Sequence, residues 1–377
     1  MSGMRVLLLL LHVYVGARLL PDLPAPDVTL VVGGLLLAAS ALLIPFAFRW
    51  RRSRAVGVRR LLMWSGLVAL GAFSTLVVLT LVRDAMLLAL AVLASFVSLG
   101  WPSARIVTAS AIAVPMLTAL LTLVGYANAR RVARVRDVDI PIASLPAALV
   151  GFTIAQITDV HVGPTIDRDH VDAVVDAVNA LGADLIAITG DLVDGSVSEL
   201  AHHTAPLARM AARHGVFFVT GNHEYYAGVQ PWIVELRRLG IRVLLNEHVV
   251  VEHEGERVVV AGVTDVGAHH FVPSHRSDPQ KAIAGAPADA VKLLLAHQPR
   301  SAAAASHAGF DLQLSGHTHG GQFLPWNFFV RFQQPFTAGL ARLGRLWVYT
   351  SRGTGYWGPP KRLGAPSEIT RLRLVTA

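Results

Sequence analysis

Long apolar runs fill the first third of the chain, and their lengths predict helices that cross a membrane. A helix needs about 20 apolar residues to span the hydrocarbon core of a bilayer. Four runs come close to or exceed that length, namely Met4–Leu20, Val28–Phe48, Leu61–Val82 and Ile106–Tyr126. A fifth run, Ala85–Trp101, follows the third after only Arg83 and Asp84, so it could span, re-enter or lie at the surface. The pattern predicts a polytopic α-helical membrane region over residues 1–130 with four or five spans.

Arginines between and after these runs indicate the orientation of the chain. Six of them crowd the loop between the second and third runs: Arg49, Arg51, Arg52, Arg54, Arg59 and Arg60. Loops of this kind stay in the cytoplasm, which puts the amino terminus inside. With four spans the chain returns to the cytoplasm at a second basic run, Arg130–Arg136, and with five spans it emerges outside. The second basic run favours four spans. A cleaved signal peptide is the alternative for the first apolar run, but that run lacks a convincing small-x-small cleavage site.

After residue 150 the pattern changes to short apolar runs that alternate with amphipathic stretches. The apolar runs predict strands at Phe152–Ile157, Asp184–Thr189, Val216–Thr220, Val258–Val263, Lys292–Ala296 and Asp311–Leu314. The amphipathic stretches predict helices at Asp169–Leu181, Ser198–Arg213 and Pro231–Leu239. This alternation is typical of an α/β domain. Residues 131–149 contain Pro141 and Pro146 and predict a short extended linker, which would keep the following domain within a few tens of ångströms of the bilayer.

Asp, Asn and His residues, all of which can bind metal ions, follow five of these predicted strands. They are Asp159 and His161, then Asp191, then Asn222 and His223, then His297, and finally His317 and His319. Side chains at the carboxyl ends of strands can converge on one crevice outside a sheet. Three Asp or Asn oxygens and four His nitrogens suit Mn, Fe, Zn or Co better than Ca or Mg. Two ions roughly 3.5 to 4 Å apart could share so many ligands, and such a pair stabilises the attacking and leaving oxygens of phosphoryl transfer.

The order D-x-H, G-D, G-N-H-E, H and G-H-x-H resembles the calcineurin-like metallophosphoesterases. The resemblance covers roughly Gly151–Leu374 and includes the longer strings Gln156–His161 and Gly316–Gln322. Together with Gly221–Tyr226 and Ser351–Gly353, these strings are similar to a bacterial branch whose phosphoesterase domain follows a membrane anchor. The resemblance implies a four-layer α/β/β/α sandwich for residues 150–377, an integral protein of a bacterial cell membrane, and a metal-dependent phosphoesterase.

Position by position, the resemblance implies one role for each residue of the site. Asp159, His161 and His319 would hold the first divalent ion, and Asn222, His297 and His317 the second, with Mn, Fe or Zn expected. Asp191 would bridge the two ions, and the nucleophile would be a metal-bound hydroxide. His223 matches the family's non-ligand histidine, which acts as general acid or places a charge on the leaving oxygen.

Two acidic residues and one aromatic segment leave alternatives open. Asp194 lies where the family often has an acidic residue, but it could instead only cap the following turn. Glu224 would orient a ligand by hydrogen bonding. Four aromatics, Phe323, Trp326, Phe328 and Phe329, could border the crevice or reach towards lipid, and packing within the second sheet is the simpler interpretation.

The distribution of charge along the chain bears on whether the protein binds nucleic acid. The net charge is +8 and the sequence pI is near 10.4. Residues 1–136, however, hold fourteen Arg against three Asp, so residues 137–377 carry a net charge of about −3. The basic residues therefore suit anionic lipid headgroups and give no indication of specific nucleic-acid binding. The chain has no Cys, which is compatible with either redox compartment.

Three functions from different classes follow from this sequence. The leading one is hydrolysis of phosphodiesters or phosphomonoesters, including those of a lipid or a lipid-linked substrate. A nucleotide or phosphoprotein phosphatase held at the membrane is the second, and a non-catalytic metal-binding scaffold is the third. The physiological substrate depends on loops that the motifs do not describe, and nothing in the sequence indicates an oligomeric state.

Overall fold

A computed structural model describes residues 2–50, 57–97 and 103–377. The described chain divides into two compact units. The helical unit contains the residues up to Ala127 together with the segment Gly358–Leu363, and the catalytic unit contains Asn128–Trp357 and Gly364–Ala377. The segment Gly358–Leu363 therefore packs with the helices, although its sequence lies inside the predicted domain 150–377.

The helical unit contains four long helices, α1 Ser2–Leu19, α2 Pro26–Trp50, α3 Val58–Val97 and α4 Ala104–Arg130. Each is long and apolar enough to cross a membrane, so the described residues provide four candidate spans. Arg51, Arg52 and Arg54 of the predicted basic loop lie outside the described residues, as do residues 98–101 at the end of the fifth predicted run. Ala85–Val97, the described part of that run, is the second half of α3 and not a separate helix.

Polar partners around Arg83 explain how α3 continues through two charged residues. The Arg83 side chain is buried and donates hydrogen bonds to Asp22 Oδ2 at 2.6 Å, Arg18 O at 2.8 Å and Ser110 Oγ at 3.0 Å. Asp84 accepts hydrogen bonds from the side chains of Tyr14 and Arg18. Since both charges are paired, the helix need not end there. At 40 residues α3 is about 60 Å long, roughly twice the thickness of a bilayer core.

The segment Gly358–Leu363 is held among the helices by its lysine. Lys361 is 1% exposed, and its Nζ donates to Gly71 O at 3.0 Å and to the side-chain oxygens of Thr75 and Thr122. The backbone N–H of Arg362 donates to Gly125 O. Buried Lys is tolerated only where its donors find acceptors, and Gly71, Thr75 and Thr122 supply them.

The catalytic unit contains two six-stranded mixed sheets. The first sheet has the order β1-β12-β2-β3-β4-β5, formed by Arg134–Ile142, Glu368–Thr376, Thr153–Ile157, Leu185–Ile188, Val216–Phe218 and Arg242–Val243. The second has the order β10-β11-β9-β8-β7-β6, formed by Gly339–Leu343, Leu346–Thr350, Leu312–Ser315, Val291–Leu295, Glu256–Gly262 and Glu247–His253. The helices are α5 Arg168–Asn179, α6 Val197–Thr204, α7 Asn222–Ala227, α8 Val229–Arg238, α9 Pro279–Ile283, α10 Ala302–Ala308 and α11 Trp326–Phe329.

Three apolar cores separate the four layers of this unit. Alternate residues of both sheets, such as Ile154 and Leu293, share the central core. The opposite face of the first sheet packs on α5 and α8, and the opposite face of the second sheet packs on α9 and α10. This alternation of faces follows from the two-residue period of strands. The fold is therefore the predicted α/β/β/α sandwich preceded by membrane helices.

Part of the predicted linker is a strand of the first sheet. Residues 134–142 form β1, which pairs in parallel with β12 from Arg134 opposite Glu368 to Ile142 opposite Thr376. Ile140 and Ile142 point into the central core. Pro141 lacks a backbone N–H, but β1 is an edge strand, where that loss is tolerated. The sequence pattern obscured this strand because its partner lies 234 residues later in the chain.

Candidate metal centre

The predicted ligands lie at the carboxyl ends of five parallel strands. Asp159 and His161 follow β2, and Asp191 follows β3. Asn222 and His223 open α7 after β4, His297 follows β8, and His317 and His319 follow β9. The backbone joins these ends directly, because Asp159 N–H donates to Gly190 O at 3.0 Å and Gly316 N–H donates to His297 O at 2.9 Å. The folded chain thus brings all eight residues of the motifs to one place.

Two separate groups of side chains could each hold a metal ion, and a third group, His161, Asp194 and His223, shares His161 with the first of them. In the first, Asp159, His161 and His319 place one ligand atom each within 4.8 Å of one another, and in the second Asp191, His297 and His317 do the same. His161 Nε2 lies 3.0 Å from His319 Nε2, and His317 Nδ1 lies 3.2 Å from His297 Nε2. Imidazole nitrogens that face each other in this way suit a shared cation better than a mutual hydrogen bond.

Asp191 approaches both groups. Its Oδ2 lies 3.2 Å from His297 Nε2 of the second group and 4.0 Å from His161 Nε2 of the first. The other oxygen, Oδ1, accepts a hydrogen bond from the backbone N–H of His223 at 2.8 Å. The Asp191 carboxylate is therefore within 4.0 Å of a histidine nitrogen in each of the two groups.

Two features of the site besides the types of its residues indicate that it can bind a divalent metal ion. Asn222 Oδ1 is buried and, among the described residues, has no hydrogen-bond partner. A buried amide oxygen without a partner is costly, and a cation would satisfy it. The ring of His297 is also oriented for a ligand, because Nδ1 donates to Thr189 O at 2.8 Å and leaves Nε2 facing the group.

Burial and neighbouring charges shift the pKa values of three residues in the second group. Burial raises the pKa of Asp191, but the neighbouring histidines His297 and His223 outweigh it and hold that pKa well below its ordinary value. Burial lowers the pKa of His297, and the Asp191 carboxylate more than offsets this, so the net shift is upward. Burial and then the His297 charge lower the pKa of His317 to about 4. Neutral imidazole is the form that binds metal.

Asp194 contacts two histidines of the site. Its Oδ1 lies 3.0 Å from His161 Nδ1 and 2.5 Å from His223 Nδ1. Capping of the following turn, the alternative left open by the sequence, does not account for these two contacts of Asp194. A carboxylate can only accept, so each histidine donates from Nδ1 and presents Nε2 to the site. In the sequence, the position of Asp194 three residues after Asp191 was the only indication of a role in the site. The order of the motifs could not distinguish that role from the capping of a turn.

Glu224 supports the loop that carries Asp191. The carboxylate is 1% exposed and accepts hydrogen bonds from the backbone N–H groups of Gly221, Asp191, Leu192 and Val193. Burial, followed by the charge of Asp191, raises the pKa of Glu224 to about 7. Its contacts are with backbone, so it orients the Asp191 loop and not a ligand side chain.

Left-handed backbone is concentrated at the predicted ligands. Among the described residues, ten that are not Gly have positive φ, and five of these are predicted ligands: Asp159 (51°), His161 (55°), Asp191 (50°), His317 (69°) and His319 (50°). This conformation costs about 1 to 3 kcal/mol per residue and clusters at functional sites. Asp and His adopt it more readily than most residue types.

The aromatic segment after His319 is only partly packed. Phe323 is 7% exposed, as the packing interpretation expects, whereas Trp326, Phe328 and Phe329 are 47%, 58% and 52% exposed. That interpretation is therefore wrong for three of the four residues. These three lie on α11, on the surface of the catalytic unit.

Comparisons with known proteins are consistent with this geometry. Residues 152–321 match the calcineurin-like phosphoesterase family. A transmembrane protein with metallophosphoesterase domain from Danio rerio is 39% identical over 270 residues, which cover 70% of this chain and 62% of that protein. Uncharacterized metallophosphoesterases from Helicobacter pylori (strain J99) and Campylobacter jejuni are 39% and 33% identical over 227 and 264 residues. These matches cover 59% and 69% of this chain, and 59% and 68% of the respective relatives. The chain thus spans about 60% of the length of the first two of these relatives.

Proposed function

Since the chain belongs to the calcineurin-like metallophosphoesterases, hydrolases of phosphoric esters, we propose that it is a membrane-anchored enzyme with a binuclear metal centre. Its substrates would be phosphodiesters or phosphomonoesters, including those of lipids. The observation that carries the binuclear proposal is the position of Asp191 Oδ2, within 4.0 Å of a histidine nitrogen in each ligand group.

The proposed ligand sets follow the two groups. Asp159, His161 and His319 would hold one ion, His297, His317 and Asn222 would hold the other, and Asp191 would be a ligand to both. The unsatisfied Asn222 Oδ1 supports its inclusion in the second set. Divalent ions bound there supply Lewis acidity towards the phosphate and a water activated near neutral pH.

His223 serves the leaving oxygen in this proposal. Its Nδ1 is engaged by Asp194, so Nε2 is the nitrogen that faces the site, 4.0 Å from Asp191 Oδ2. The side chain is also close to the surface, with 12% of it exposed, which leaves room for a substrate beside it. From Nε2 the imidazolium donates a proton or a hydrogen bond to the oxygen of the departing group.

The four spans support a cytoplasmic position for the catalytic unit. An even number of spans puts both ends of the helical unit on one side, and basic residues that flank a span mark the cytoplasm. Because the chain has no Cys, this position can be tested with a single Val234→Cys variant, whose site on α8 is 68% exposed. An impermeant maleimide should label it in inverted vesicles and not in right-side-out vesicles. The reverse pattern would place the unit outside.

The function itself is tested with the full chain in detergent. We expect hydrolysis of bis(4-nitrophenyl) phosphate or 4-nitrophenyl phosphate in the presence of Mn²⁺, and its loss when the protein is chelated. Return of activity on adding Mn²⁺ back excludes damage by the chelator. Metal-loaded protein that turns over neither ester would overturn the proposal and favour a non-catalytic scaffold.

A further inference from the structure

Three exposed aromatic side chains form a connected rim beside His223. Tyr226, Phe271 and Trp357 are 52%, 53% and 41% exposed. The ring centroid of His223 lies 5.3 Å from that of Tyr226 and 5.9 Å from that of Trp357, and Phe271 continues the row 5.6 Å from Tyr226. We call Tyr226, Phe271 and Trp357 the aromatic rim.

Separate segments of the fold hold the rim in place. Tyr226 lies one turn after His223 on α7, and Phe271 follows the single-turn helix Ala268–His270. The backbone of Trp357 is fixed at both ends by one side chain, because its N–H donates to Gln322 Oε1 and its carbonyl accepts from Gln322 Nε2, each at 2.9 Å. Gln322 is itself buried, three residues after the ligand His319. Two of the three rim residues, Tyr226 and Trp357, are therefore attached to segments that carry predicted ligands.

The position of the rim determines which part of a substrate it can meet. If His223 serves the leaving oxygen, the group attached to that oxygen extends past His223 and onto the rings beside it. Aromatic faces offer apolar area and stacking there, and burial of apolar area contributes about 25 cal/mol per Å². Three large exposed rings in one place are uncommon on a surface without a binding role.

We infer that the aromatic rim is the subsite for an apolar leaving group, so that the preferred substrate is a phosphoester with an aliphatic or aryl body next to its leaving oxygen. This inference rests on the proposed function.

Binding can be measured without turnover by using phosphonates. The full chain, loaded with Mn²⁺ in nanodiscs, is titrated calorimetrically with methylphosphonate, butylphosphonate and benzylphosphonate, each soluble enough to stay in water. Butylphosphonate should bind about tenfold or more tightly than methylphosphonate, because a few buried methylenes give discrimination of that order. A preference for benzylphosphonate over butylphosphonate would assign an aryl body, and the opposite preference an aliphatic one.

Variants locate the preference. Trp357→Ala and Phe271→Ala should each bring the butyl-to-methyl affinity ratio close to one and leave methylphosphonate affinity unchanged. Phe332→Ala, which removes another aromatic side chain that is 75% exposed, should keep the wild-type ratio. Two rim variants guard against one that fails to fold, which circular dichroism detects.

The outcomes separate this inference from the proposed function. Equal affinity for all three phosphonates, or a preference that survives both rim substitutions, would overturn the subsite while hydrolysis of 4-nitrophenyl esters continued. Loss of hydrolysis in metal-loaded wild-type protein would instead overturn the proposed function, whatever the phosphonates do.

Discussion

The Asp194 carboxylate accepts a hydrogen bond from His223 Nδ1 at 2.5 Å. The same oxygen lies 3.0 Å from His161 Nδ1, so one carboxylate orients both a predicted ligand and the predicted acid. This arrangement couples metal binding to proton donation through a residue that touches neither the metal nor the substrate in our proposal.

Asp194→Asn should lower kcat for bis(4-nitrophenyl) phosphate by about 10- to 100-fold, the usual loss when a residue that orients a ligand is changed. Both Nδ1–H groups bond to the same oxygen, Oδ1, and a neutral amide oxygen accepts them more weakly than the charged carboxylate does. Metal content, measured by mass spectrometry of the purified protein, should fall less than kcat does. Wild-type kcat in this variant would show that the hydrogen bonds are dispensable.

His223→Ala should keep its metal and lose most turnover, because His223 is not a ligand in the proposed sets. Asp191→Asn should lose metal and activity together, because the amide cannot bridge two cations as a carboxylate does. Metal analysis and hydrolysis of 4-nitrophenyl esters, run on the same preparations, check both. A His223→Ala protein without metal would contradict the assignment of His223.

Glu224→Gln should destabilise the catalytic unit by about 1 to 3 kcal/mol, the cost of leaving buried N–H donors without an acceptor. The carboxylate accepts from four backbone N–H groups, and the side-chain NH₂ of Gln would face some of them. Urea denaturation followed by tryptophan fluorescence measures the change. Glu252→Gln, at an exposed position, is the matched control, and equal stability of the two variants would refute the role.

Gly316→Ala should reduce metal content without removing any ligand. A Cβ at this position would lie 2.1 Å from Asp159 Oδ2 and 2.2 Å from Thr158 Oγ1, so Asp159 would have to move. Gly34→Ala, on α2 with no atom within 4 Å of the added Cβ, makes the same change in open space. We expect the metal content of this control to match the wild type, and equal metal content in both variants would contradict the expected displacement.

Acid should destabilise the protein partly through His170. Burial lowers the pKa of His170, and the charge of Arg130 adds to this effect, so the folded state favours neutral imidazole. The unfolded chain binds the proton below its ordinary pKa of about 6.5. Stability from this residue is therefore complete above about pH 6.5 and is lost as the pH falls below it.

The apparent Tm of the full chain, followed from pH 7.5 to 5, tests this directly. His170→Leu should lose less Tm on acidification than the wild type. His202→Leu, at an exposed position on α6, should retain the wild-type dependence. Parallel curves for the wild type and His170→Leu would exclude the contribution.

The convergence of the motif residues could be predicted because they follow the carboxyl ends of strands, although these strands belong to two sheets. Asp159 and His317 are 158 residues apart, yet the chain order of their strands fixes both at the carboxyl edge. The strand β1 was missed because its pairing with β12 depends on residues far away in the chain, and Pro141 suggested a linker. The continuity of α3 was missed for a similar reason, since the partners of Arg83 come from α1 and α4.

Asp194 and the aromatic rim mark a further limit of sequence reasoning. No local pattern distinguishes an Asp that caps a turn from one that bonds two histidines, because the difference lies in loop geometry. Likewise Tyr226, Phe271 and Trp357 are far apart in sequence and lie on three separate segments that meet only in the folded chain.

The left-handed backbone at five predicted ligands has a consequence for the rate of metal binding. The folded chain already holds these residues in their unusual conformation through hydrogen bonds between strand ends, such as that from His161 N–H to Asp191 O. An incoming ion therefore does not pay for ordering the loops, and its association rate should be set by loss of its own water and by access to the crevice. Amide hydrogens in these loops should exchange slowly with deuterium even after chelation, since the loops that will receive the metal are already shaped.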